Sequence, residues 1–161
     1  MEMIDENDPW KKDKAMLDKI LIPIDDSTIV QKLIKRIPTV IDISQKELYL
    51  VHVSDPYPPR IYSDSVLSEF NISVKHHRES SKAFANKIFK NYQKLLSQAK
   101  QVELIHIYEE DIPFGILTAA KKTKVDVIAM TTHRYTGLKS ILLGDKVHDV
   151  IVNSKYPVLV I

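Results

Sequence analysis

Two short segments hold most of the side chains that could do chemistry. One reads Pro23-Ile24-Asp25-Asp26-Ser27, two adjacent carboxylates followed by a hydroxyl. The other spans residues 130–145 and gathers His133, Arg134, Lys139, Gly144 and Asp145. Carboxylates accept hydrogen bonds from hydroxyl groups, and a guanidinium can pair with a phosphate. Glycine lets the backbone approach a ligand closely, and two of the chain's three glycines, Gly137 and Gly144, lie in the second segment. These groups suit binding better than bond breaking. No Ser or Cys nucleophile with a partner acid can be built around His133.

The other histidines have plainer readings. His76 and His77 are adjacent, so they cannot share a helix face as metal ligands spaced i, i+4 do. His52 and His106 sit inside strand patterns and read as packed residues, and His148 reads as a surface residue of the last helix. There are no cysteines, which excludes disulfides, thiolate chemistry and zinc fingers. Lysines at 82, 87, 90, 94 and 100 line one long helical pattern without interleaved aromatics, so they read as a solvated face rather than a nucleic-acid stripe. A net charge of +2 gives no general attraction to nucleic acid or membrane. No apolar run approaches the roughly 18 residues of a membrane span. Residues 1–16 run from acidic (Glu2, Asp5, Glu6, Asp8) to basic (Lys11, Lys12, Lys14) and lack a signal-peptide core. They are expected to form a flexible extension or a partner-binding arm anchored by Trp10, ahead of one domain over 17–161. The expected location is the cytoplasm.

Five apolar runs of strand length must position these residues: 19–24, 47–53, 102–108, 125–131 and 157–161. Each is nearly continuous rather than alternating, the pattern of strands covered on both faces of a parallel sheet. Helical periodicity separates them. Ser27 is placed to cap a first helix with Val30, Leu33, Ile34 and Ile37 on one face, and Pro38 is expected to end or kink it. A second stripe runs through Phe84, Ile88, Tyr92, Leu95 and Ala99, widened by Phe89 and Leu96. Shorter ones follow at Ile112, Ile116, Leu117 and Ala120, then at Val147, Val150 and Ile151. The alternation predicts an α/β fold, a single open parallel five-stranded sheet with helices on both faces. The connection over 54–78, with Pro56, Pro58 and Pro59, is the exception and is expected to begin irregularly.

In such sheets ligands bind beyond the carboxyl ends of the strands, where strand order reverses. Both chemically equipped segments belong there, and both resemble the universal stress protein family. The first resembles that family's apolar strand ending in Pro-x-Asp. The second carries Gly137-Leu138-Lys139 and Leu142-Leu143-Gly144 ahead of the last helix, and the chain closes with Pro157-Val158-Leu159-Val160, like the family's ending. The resemblance covers residues 17–161 and implies strand order 3-2-1-4-5.

Many members of that family bind ATP through a loop spaced Gly, two residues, Gly, nine residues, Gly, then Ser or Thr. Laid on this chain, the four positions are Thr131, Arg134, Gly144 and Asp145. The spacing is kept, but only Gly144 keeps the residue type. Asp145 puts an anion where a hydroxyl would donate. Two negative groups about 4 Å apart repel by roughly 4 kcal/mol at an effective dielectric of about 20. The resemblance therefore leads to an expectation of a non-catalytic dimeric regulatory module that holds no ATP. The alternative is an ATP- or AMP-binding switch, with Mg²⁺ offsetting the charge at Asp145. On that alternative Asp25 serves the base and ribose end, and Val51 and Val53 wall the pocket. Asp25 can equally be a helix-start cap shared with Asp26 and Ser27.

Two other function classes fit less well. A phospho-receiver needs a Lys just after the fifth strand, but Lys155 precedes it. An ATP-pyrophosphatase loop needs glycines after the first strand, where this chain has Asp25-Asp26-Ser27-Thr28. The last strand would be a short apolar edge, and exposed edges pair. A homodimer through Val158 and Val160 is expected, with a further protein partner not identified by the sequence.

Overall fold

A strand covered on both faces has no polar side, and β1 (Lys19–Pro23) meets that condition, with Ile20, Leu21 and Ile22 fully buried. The computed structural model describes residues 17–57, 67–131 and 145–161, with backbone alone at 67–73 and 145. After β1 come α1 (Thr28–Val40), β2 (Glu47–Ser54), α2 (Leu67–Leu95), β3 (Gln101–Tyr108) and α3 (Ile112–Thr123). They are followed by β4 (Val127–Met130), α4 (Asp145–Asn153) and β5 (Val158–Val160). The five strands form one parallel sheet in the order β3-β2-β1-β4-β5. This is the α/β architecture that the apolar runs and the family resemblance predict. The strands β4 and β5 are shorter than their apolar runs.

Side chains leave a strand alternately to its two faces, so each face has its own core. On one face Ile20, Ile22, Leu48 and Leu50 pack with Leu33, Ile34 and Ile37 of α1 and Ile88 and Tyr92 of α2. On the other, Leu21, Val51 and Ile128 pack with Ile116, Ala119 and Ala120 of α3 and Val147 and Val150 of α4. One contact on the second face demands glycine. A Cβ on Gly115 would lie 2.8 Å from Cγ1 of Val53, so α3 can sit this close to β2 only without a side chain there.

Two helices differ from expectation. Pro38 lies inside α1 without ending it. It stands in the last turn, where its missing N–H costs one bond, and the Ile41 N–H closes the helix on the Ile37 carbonyl at 2.9 Å. The helix α2 begins at Leu67 and is 29 residues long, so much of the 54–78 connection is helical. No Pro or Gly occurs between Pro59 and Leu95 to stop it. Residues 58–66 lie outside the described part, as does the 1–16 extension. Along α2 the buried stripe is Ala85, Ile88 and Tyr92, continued just past the helix by Leu96, while Phe84 and Leu95 stand at its exposed rim.

The amino ends of the central strands are fastened by one carboxylate. Oδ2 of Asp126, just before β4, accepts from the backbone N–H groups of Asp18 at 2.9 Å and Lys19 at 2.8 Å. Asp126 also donates its own N–H to the Lys19 carbonyl at 2.8 Å.

Candidate functional site

Strand order reverses at β1. The chain steps from β1 to β2 and β3 on one side, then returns to place β4 and β5 on the other. The carboxyl ends of β2, β1 and β4 therefore stand on one side of the sheet, the side on which open α/β sheets bind ligands in a crevice. Asp25 and Thr131 lie just past the ends of β1 and β4, and Val51 stands level with Pro23 inside β2, three residues before that strand ends. The Ile24 N–H, just past β1, is bonded to the Val51 carbonyl at 2.8 Å.

Asp25 is exposed, and its Oδ1 accepts the Ser27 N–H at 2.8 Å. The Ser27 hydroxyl accepts the Val30 N–H at 3.2 Å and caps α1 as its position predicts. Asp25 thus fixes the turn into α1 while keeping its carboxylate at the surface of the crevice. The Val51 side chain is 1% exposed and packs into the α3–α4 core, and its carbonyl is taken by the Ile24 N–H. Thr131 is half-buried just beyond β4. Of the remaining predicted positions, Arg134 and Gly144 lie outside the described residues, and so does the side chain of Asp145, whose backbone opens α4. His133 and Lys139 lie outside them too.

Two residues with a part in the turn were read from sequence as core. Tyr92, only 4% exposed on α2, donates its hydroxyl to the Asp25 carbonyl at 2.6 Å. His52, on β2, places Nδ1 2.9 Å from the Ile24 carbonyl. A carbonyl only accepts, so Nδ1 carries the proton. Burial, with Asp25 and Asp26 nearby, pushes the Tyr92 phenol up to about 12. It remains a donor throughout the physiological range. Neither role leaves a mark in the sequence, because Tyr92 falls in a helical apolar stripe and His52 in a strand.

His52 also opens a buried polar row on the α2 side of the sheet. Its ring lies 5.5 Å from Phe84 and 5.7 Å from His106, and His106 stacks on Tyr108 at 4.5 Å between centroids. Nε2 of His106 is 2.9 Å from the Ser54 hydroxyl. Burial first, then His52 and Lys82, holds the His106 imidazole below its usual range. Arg78 lies over Tyr108 at 5.5 Å and its carbonyl accepts the Tyr108 hydroxyl. Beside the turn, a groove of about 370 Å³ runs between α1 and α2, lined by Asp26, Lys35, Phe84, Lys87, Tyr92 and Leu95 among others. It lies on the helical flank, not over the strand ends. Among the described residues no three His, Asp or Glu side chains gather to hold a metal ion.

The model of the universal stress protein family matches residues 16–161. The chain belongs to the universal stress protein family. It is 29% identical over 159 residues to universal stress protein MJ0577 of Methanocaldococcus jannaschii, a match covering 91% of this chain and 96% of that protein. The solved MJ0577 structure superposes with a TM-score of 0.70 at 28% identity, again over 91% and 96% of the two chains. A universal stress protein solved in complex with cAMP shares the fold at a TM-score of 0.61 and 16% identity, over 90% of this chain and 96% of that one. The universal stress protein of Archaeoglobus fulgidus solved in complex with dAMP does so at 0.55 and 16%, over 88% and 95%.

Family membership makes the chain a regulatory or binding module rather than an enzyme. The expectation of a module that holds no ATP gives way to its alternative, a nucleotide-binding member, because universal stress proteins of this fold have been solved in complex with cAMP and with dAMP. That expectation weighed only the residue types at the phosphate positions, above all Asp145. A nucleotide also offers a base and a ribose, whose contacts lie at the strand ends and do not depend on a hydroxyl at position 145. Among the described residues no helix is long and apolar enough to cross a membrane.

Proposed function

We propose that this universal stress protein binds an adenine nucleotide in the crevice above β2, β1 and β4 and acts as a nucleotide-dependent switch in the cytoplasm. The observation that carries the reading is the convergence of Asp25, Val51 and Thr131 at the reversal of strand order in a member of this family. The Asp25 carboxylate, exposed just past β1, can accept bonds from ribose hydroxyls. The Thr131 hydroxyl, just beyond β4, can add a donor or an acceptor for the nucleoside. The described residues fit the nucleoside half of such a ligand. The phosphate half falls to residues 132–145, with Arg134 as the cation and Mg²⁺ as a possible partner of Asp145.

Isothermal titration of nucleotide-stripped protein with AMP and with Mg-ATP tests the proposal. Saturable binding of either is expected. Asp25→Ala should weaken it by roughly tenfold, the loss of a charge-assisted hydrogen bond. No heat from either nucleotide would overturn the reading.

The switch is proposed to work as a homodimer joined through β5. Among the described residues this strand pairs with β4 along one edge, Ile128 to Val158 through Met130 to Val160, and with no strand along the other. Val160 is 40% exposed. An uncovered apolar edge of this kind favours isologous pairing with a second copy.

A further inference from the structure

Asp25 can serve a nucleotide only if the turn that carries it holds one conformation. Two carbonyls of that turn, at Ile24 and Asp25, each accept a bond from a side chain of a different element. His52 Nδ1–H reaches the first from β2 at 2.9 Å, and the Tyr92 hydroxyl reaches the second from α2 at 2.6 Å. The Ile24 N–H is bonded to Val51, and the Ser27 N–H is bonded to the Asp25 carboxylate itself. Peptide groups fixed in this way cannot rotate, so the direction of the Asp25 side chain is set from behind, by residues that do not face the crevice. Both clamping side chains are at least nine-tenths buried and packed, His52 against Phe84 and Tyr92 in the α1–α2 core. Their own positions are therefore determined before any ligand arrives.

We infer that Tyr92 and His52 are positioning residues of the nucleotide site, which orient Asp25 through the backbone of the β1–α1 turn. The inference rests on the nucleotide reading of the site. It adds that α2 is part of the binding machinery, because the Asp25 turn is bonded to a helix on the sheet's flank. A shift of α2 is then felt at Asp25.

Tyr92→Phe is the decisive variant, since it removes one hydroxyl and leaves the buried ring in place. AMP affinity should fall roughly three- to tenfold, the worth of one hydrogen bond. The same substitution in an Asp25→Ala background should cost nothing further, because Tyr92 acts through Asp25. Amide exchange at Ser27 in the nucleotide-free protein should quicken in Tyr92→Phe. A residue that served stability alone would lower affinity equally in both backgrounds. Undiminished AMP binding by Tyr92→Phe, additive losses in the double variant, or unchanged exchange at Ser27 would each overturn the positioning role alone. Failure of the unaltered protein to bind AMP or Mg-ATP would overturn the nucleotide reading and the positioning role together. His52→Gln, which keeps a donor, should bind AMP more tightly than His52→Leu; equal affinities would remove His52 from the assignment.

Discussion

His106 shows how a residue without a chemical task can still govern behaviour. Its imidazole meets Ser54 and His52 of β2 and Tyr108 of β3 and feels the charge of Lys82 of α2, while Phe84 packs on His52 and Arg78 on Tyr108. Burial and the neighbouring His52 and Lys82 lower its pKa in the fold, whereas the unfolded chain titrates near the ordinary value of about 6.5. Between those two values the unfolded state binds more protons than the native state. Stability therefore falls as pH drops through about 6.5 and continues to fall until the folded-state pKa is passed. Urea midpoints measured from about pH 7.5 down to about pH 5 should decline in the unaltered protein and decline less in His106→Gln, which keeps a partner for Ser54. Equal slopes in the two proteins would show that another group carries the proton linkage. The same scale explains why Asp25 supported two readings from sequence. It is a turn former through Ser27 and an exposed carboxylate at the strand end, and the two roles use the same side chain.

At the scale of elements, the contact between α3 and β2 is the tightest geometric demand. Gly115→Ala gains about 1 kcal/mol of helix propensity but drives a methyl group to 2.8 Å from Val53, an overpacking that costs about 1–3 kcal/mol. A net loss of about 1 kcal/mol is expected in chemical denaturation, because Val53 is branched and fixed in a strand. Combining Gly115→Ala with Val53→Ala should recover part of that loss by removing the clashing methyls. At the other end of the sheet, Asp126 satisfies two backbone N–H groups at the start of β1. Asp126→Ala leaves both without their acceptor and should lower stability by about 2–3 kcal/mol, whereas Asp126→Asn should lose less because an amide oxygen still accepts. Amide exchange at Asp18 and Lys19 would report the loss locally. The two sites divide the sheet: carboxylates at its amino end serve the fold, and Asp25 at its carboxyl end faces the crevice.

At the scale of the molecule, the open sheet has two edge strands among the described residues, β3 and β5. Edge β3 is eight residues long and has polar Gln101 and Glu103 exposed along its first half. Edge β5 is three residues long and apolar, with Val160 open to solvent and Val158 half-buried. Charged or polar residues discourage edge pairing, and a short apolar strand without them does not. Sedimentation equilibrium at tens of micromolar should therefore give twice the 18.5 kDa chain mass, and Val160→Asp should return it to the monomer value. A dimer mass unchanged by that substitution would place the interface elsewhere on the molecule.

The sequence alone determined which segments are strands and in what class of fold they lie. A run such as Ile20-Leu21-Ile22 has no polar face, and only burial on both sides satisfies it. It also placed the start of α1, because Ser27 precedes an apolar stripe and its hydroxyl has an N–H to accept. It did not reveal the length of α2, whose first turns lack a strong apolar stripe. Nor did it reveal that the Val51 side chain enters the core instead of walling a pocket. The phosphate-loop positions, judged by residue type, led to the wrong function, because residue types along a loop do not weigh contacts to the base and ribose. The links from Tyr92 and His52 to the Asp25 turn span 67 and 28 residues. Contacts between such distant positions arise only when strands and helices pack, so tertiary structure alone decided them.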